Sequence, residues 1–161
     1  MRSNRIITII LSIYIVGIIS SFFLVKPTVL GQSNEGITAF RIIKTFSANY
    51  WYLFVMWILG LSAIGFFINL FIVYFRGFLY GVLIINLLKV NLTHLVVITV
   101  LEIIIFLPLF IYLAYTSFLI SFSSVMGTKN NIKKYDKLLI IITAVTFIYS
   151  ILLEIVGELY G

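Results

Sequence analysis

The sequence predicts an all-α, polytopic transmembrane protein with about five helical segments, and three observations predict it. Of 161 residues, 63% are hydrophobic and only 10% charged, against about 25% charged in ordinary globular domains. So few ionisable side chains could not cover the surface of a soluble fold of this size. The apolar residues also run in long blocks, not at spaced periodic positions, as a lipid solvent demands. Lysines and arginines stand at the ends of those blocks, where membrane flanks belong. The whole chain, 1–161, therefore reads as a single transmembrane domain without room for a separate soluble catalytic unit.

Each element is set by its run of apolar residues. Arg2 and Arg5 precede the uncharged stretch 6–25, the first span. Its apolar core is too long, and Ser20-Ser21-Phe22 too poor a cleavage site, for a removable leader. Segment 26–49 begins as a loop, punctuated by Pro27, Gly31 and Gly36. It continues with Phe40, Ile43, Ser47 and Ile42, Phe46, Tyr50 at helical spacing, Arg41 and Lys44 between them. That pattern predicts an amphipathic helix at the interface. The uncharged run 50–75, opened by Tyr50-Trp51-Tyr52, is the second span, and Arg76 ends it.

The middle of the chain is irregular. Segment 77–88 is too short to cross at about 1.5 Å per residue, and Lys89, Asn91, Thr93 and His94 interrupt the apolar residues beyond it. A short or re-entrant helix over 77–88 is expected, then a helix over 95–126 broken at Pro108. Segment 127–137 is the most basic of the chain and reads as a cytoplasmic loop. The last span is 138–157, with Glu154 and Glu158 near its end. Lysine and arginine counts favour a cytoplasmic N-terminus and an external C-terminus. Arg2, Arg5, Arg76, Lys129, Lys133, Lys134 and Lys137 fall inside on this reading, and Lys26, Arg41 and Lys44 outside.

Several residues are candidates for more than solvation by lipid. Gly60, Ala63, Gly65, Gly77 and Gly81 are small enough to let helix backbones approach, with Gly77 and Gly81 on one face. Ala114, Ser117, Ser121 and Ser124 form a small polar stripe suited to a helix seam or a narrow polar path. Arg76 either snorkels to the cytoplasmic interface or pairs with Glu102, the acid in the central apolar region. Glu102 and His94, eight apart, would share a face of one continuous helix, as a proton relay or cation site requires. A structural polar contact is the plainer reading of both.

Other chemistry is excluded more firmly. The chain has no cysteine and one histidine, so no metal-ligand set is expected. There is no phosphate-binding lysine loop, no nucleophile elbow and no zinc-protease helix, so no catalytic residue and no cofactor is expected. The net charge of +6 is spread along membrane flanks and does not form a nucleic-acid surface.

From about residue 40 to 126 the order of features resembles the stage II sporulation protein M family. The resemblance lies in 40–49, a Phe-x-x-Ile stretch ending in Asn. It continues with Trp57, Gly60 and Gly65, then Arg76-Gly77-Phe78 and Gly81, then Leu107-Pro108, then Ala114 and Ser121-Phe122-Ser123. Family members often follow Leu-Pro with Gln-Asn, where this chain has Leu109-Phe110. The resemblance implies a non-enzymatic membrane subunit in the cell membrane of a Gram-positive bacterium. Short relatives act with an ABC-type ATPase in maturation, export or immunity of circular bacteriocins, which are hydrophobic peptides. Sporulation members serve as scaffolds of a complex that remodels peptidoglycan during engulfment. Expected partners are membrane lipid, other membrane subunits or further copies of the chain, and the ATPase, touched through Lys129, Lys133, Lys134 and Lys137 or through the Arg76 turn. A rival class is a small proton- or ion-coupled transporter built on His94 and Glu102.

Overall fold

A computed structural model of the chain describes residues 3–26, 38–126 and 132–160. Its elements are α1 (Ser3–Leu24), α2 (Ala39–Gly60), α3 (Gly65–Val90), α4 (Leu92–Leu101), a π-helical turn (Glu102–Phe106), α5 (Leu107–Val125) and α6 (Ile132–Tyr160), with no strand among the described residues. Among the described residues, four helical stretches are long and apolar enough to cross a membrane: Asn4–Leu24, Gly65–Lys89, Leu92–Val125 and Tyr135–Tyr160. The protein is an all-α, multi-pass membrane protein. Its outer face carries the exposed apolar side chains that such a solvent accepts, among them Phe23 (84% exposed) and Ile140 (72%).

Contacts along the helices fix their directions. Tyr14 lies against Gly77, and Ile18 and Ser21 against Gly81, so α1 and α3 run parallel. Hydrogen bonds joining Arg76 to Glu102 and Asn69 to Ser117 make α4–α5 antiparallel to α3. Bonds joining Thr45 to Glu154, Tyr50 to Thr143 and Tyr135 to Trp57 set α2 antiparallel to α6. The direction alternates along the chain, and the first and last described residues lie at opposite ends of the bundle.

The expected boundaries shift in several places. The run 50–75 is not one span. It contains a corner at 61–64, where Gly65 Cα faces the Leu59 carbonyl too closely for any Cβ. Residues 40–49 are not a separate interfacial helix but the first half of α2. Nothing between Arg41 and Tyr50 breaks the helix, and Asn49 is buried, its amide donating to Thr45 O at 2.9 Å. The stretch 77–88 is neither short nor re-entrant, since it is the second half of the 26-residue α3. That helix ends at Asn91, whose extended backbone (φ −156°) makes the next corner. The Asn91 side chain accepts from the N–H groups of Thr93 (3.0 Å) and His94 (3.2 Å), capping α4.

The helix around Pro108 is likewise continuous over Leu92–Val125. A proline within a helix has no N–H to give and its ring crowds the carbonyl four residues earlier. Here the turn before it widens, with the Leu107 N–H bonding Glu102 O, and Pro108 sits on the exposed side. The wide turn has a second effect. Ile98, Glu102, Phe106 and Phe110 are all buried although spaced by four. A regular helix drifts about 40° per such step and would carry the last about 120° from the first. The π turn keeps them on one face. The basic segment 127–137 is not wholly a loop, because α6 begins at Ile132. Lys133 and Lys134 lie on that helix, Lys137 is on it and exposed, and Lys129 lies outside the described residues.

Candidate functional site

A charged pair is held at the middle of the bundle. Arg76 stands near the centre of α3 and Glu102 opens the π turn; they are 9% and 1% exposed. One guanidinium nitrogen, Nη2, donates to both carboxylate oxygens, at 3.0 and 3.2 Å. The Tyr14 hydroxyl donates to Oε1 at 3.3 Å, and the Tyr149 hydroxyl donates to Oε2. Above the guanidinium lies the Phe106 ring, 4.3 Å from Cζ to centroid. Phe106 in turn packs on Phe110 and Tyr149. Glu102 thus joins α1, α3 and α6 through side chains from each. A charge in hydrocarbon is tolerable only when paired and hydrogen-bonded, and Glu102 has three donors. Of the two readings of Arg76, snorkelling and pairing, the structure has the pair.

The glycines and serines sort by where the helices touch. On α1, Gly17 meets the Tyr74 carbonyl, and on α3 Gly77 meets that of Tyr14. Gly81 faces the Ile18 carbonyl and the Ser21 side chain. Any Cβ at these positions would drive into backbone, so the α1–α3 seam needs glycine. Gly60 lies against Tyr135 and Ser117. Buried in α5, Ala114, Ser117 and Ser121 face inward. Ser117 Oγ donates to Met56 O at 2.8 Å and takes a bond from Asn69. Ser121 Oγ donates to Ser62 O at 2.6 Å and accepts from the Phe66 N–H at 2.8 Å. The Ser121 bonds satisfy backbone groups at the 61–64 corner and the Ser117 bonds tie α5 to α2 and α3, so the stripe is a fastening and not a path. Two expected packing residues fall elsewhere. Ala63 is exposed within the corner, and Ser124 is exposed, its hydroxyl bonding Ile120 O.

His94 does not join Glu102. It sits in the first turn of α4, its ring stacked on Tyr160 at 6.5 Å, while Asn91 Nδ2 donates to Tyr160 O at 2.8 Å. The helix between them is regular, and eight residues along it set the two side chains about 12 Å apart and about 80° round the axis. Glu154 lies near the end of α6, as expected. It is 9% exposed, pairs with Arg41 Nε at 3.1 Å and accepts from Thr45, leaving Glu158 alone exposed.

Tyr14, Tyr149, Asn69 and Gly17 are the site residues that sequence reading passes over. A signal existed for three of them. Interfacial tyrosines belong near helix ends, whereas Tyr14, Tyr149 and Asn69 put polar groups in the interior of apolar spans, where each needs a partner. Among the described residues no cluster of three metal-ligating side chains occurs. Comparisons of the chain with protein-family models, with curated proteins and with solved structures find no match. The polar centre has to be interpreted from its own geometry.

Proposed function

We propose that the protein is a non-enzymatic membrane subunit of a multi-protein complex, working with an ABC-type ATPase on a hydrophobic peptide. The observation that carries the first part is the closure of the polar centre. Arg76, Glu102, Tyr14 and Tyr149 bind one another across the bundle, which suits a fixed framework better than a site that turns over. The second part rests on the order of motifs shared with the stage II sporulation protein M family. Several of the residues carrying that likeness, Gly60, Gly77, Gly81, Arg76, Ala114 and Ser121, hold helices together here. Lys133, Lys134 and Lys137, at the end of the bundle where α6 begins, are the contact for the ATPase on this reading, with that end cytoplasmic. Tagged protein purified from cells that express its native neighbours should bring down an ATPase. Recovery of the chain without one counts against the proposal.

A buried carboxylate at mid-helix depth favours one rival, a small proton- or ion-coupled transporter. Reconstituted alone in liposomes, the wild type would then move protons or cations and Glu102→Gln would not. For a subunit that depends on its ATPase, both vesicles stay equally tight.

A further inference from the structure

We infer that the Arg76–Glu102 pair borders an internal hydration site, where water binds Arg76 Nε and the Tyr80 hydroxyl. Both atoms are buried and neither makes a hydrogen bond of good geometry to the protein. Tyr80 is 6% exposed, one turn after Arg76 on the same face of α3. Its ring stacks on that of Tyr14 at 6.5 Å, the tyrosine that donates to Glu102. Tyr80 interacts electrostatically with Arg76 and Glu102, and its hydroxyl lies beside the Thr99 side chain without a hydrogen bond of good geometry. A donor on the Arg76 guanidinium and the Tyr80 hydroxyl thus stand one turn apart on α3, the second beside half-buried Thr99 of α4.

An unmet polar group in the hydrocarbon region is expensive, because lipid offers it nothing. Buried waters occupy such places, each needing two to four polar neighbours, and Nε, Tyr80 and Thr99 supply them. The alternative is that both atoms stay dry. The two cases predict opposite signs for one small substitution. Removing a hydroxyl that has no partner relieves a desolvation penalty and stabilises, whereas removing one that anchors water leaves Arg76 Nε worse satisfied and destabilises.

Tyr80→Phe, unfolded thermally in nanodiscs, should melt about 2–4 °C below the wild type. Radiolytic hydroxyl labelling of the wild type in the same nanodiscs decides the matter even if the variant does not fold. Tyr80 should be modified several-fold faster than Phe110, which is 0% exposed in the same core, because radicals form from water held beside it. A melting temperature unchanged or raised, or Tyr80 modified no faster than Phe110, overturns the inference.

Discussion

Arg76 must share its charge with a neighbour, because hydrocarbon leaves a guanidinium no other solvation, and the neighbour is Glu102. Breaking such a pair from one side strands the other charge, a loss of about 3–5 kcal/mol. Arg76→Ala should therefore be severely destabilised in detergent unfolding. Arg76→Met with Glu102→Leu should recover only part of that loss: apolar replacements do well at buried ion pairs, but the Tyr14 and Tyr149 hydroxyls lose their acceptor. A loss in the double variant equal to the sum of the losses in Arg76→Met and Glu102→Leu alone would show the two residues uncoupled. The glycines give a second contrast. Ala in place of Gly gains about 1 kcal/mol of helix propensity, but a Cβ at Gly77 would strike the Tyr14 carbonyl, which cannot rotate aside. Overpacking of that kind costs about 1–3 kcal/mol, so Gly77→Ala should lower the unfolding midpoint. At Gly157 a Cβ meets nothing within 4 Å, and Gly157→Ala should raise it. The sequence shows that Gly77 and Gly81 share a face. It does not show what lies opposite, because the partner is backbone of α1, which leaves no residue signature.

At the scale of elements, what hydropathy misses is the corner between α2 and α3. Leu61, Ser62, Ala63 and Ile64 are uncharged, so the run 50–75 reads as one span. The chain can turn there because freed backbone groups find Ser121, 55 residues on from Phe66. No local signal reports a partner so distant. Ser121→Ala would leave the Phe66 N–H without that partner, Ser62 O keeping the Gly65 N–H at 3.1 Å, and should cost about 1–3 kcal/mol. Ser124→Ala, on the exposed side one turn later, should stay within about 0.5 kcal/mol. The two unfolding midpoints, compared in one detergent, check this; equal shifts would mean that the corner does not depend on the serine. Pro108 was legible as an irregularity but not as a π turn. The physical cause is shared: proline forbids the regular bond, while burial of Ile98, Glu102, Phe106 and Phe110 on one face selects the wider turn over a kink.

For the whole molecule, burying Arg76 changes the charge balance that orients the protein. Arg76 is in the interior and belongs to neither face. Lys89, at the end of α3, joins Lys26, Arg41 and Lys44 at one end of the bundle. Arg5, Lys133, Lys134 and Lys137 are at the other, and Arg2 and Lys129, outside the described residues, adjoin them in sequence. The excess of basic residues at the N-terminal end is thus smaller than the apolar runs alone imply, though its sign is unchanged, and a cytoplasmic N-terminus remains the expectation. The chain lacks cysteine, so each introduced thiol reports on its own position. Ser3→Cys and Lys137→Cys, at the ends where α1 and α6 begin, should resist a membrane-impermeant maleimide in intact cells and react after permeabilisation. Lys89→Cys and Tyr160→Cys should react at once. The mirror-image pattern would invert the bundle in the membrane while leaving its fold untouched. Labelling of Lys89→Cys and Lys137→Cys from one side would contradict the alternation itself, because the antiparallel course of α4–α5 then α6 places those residues a full helix length apart.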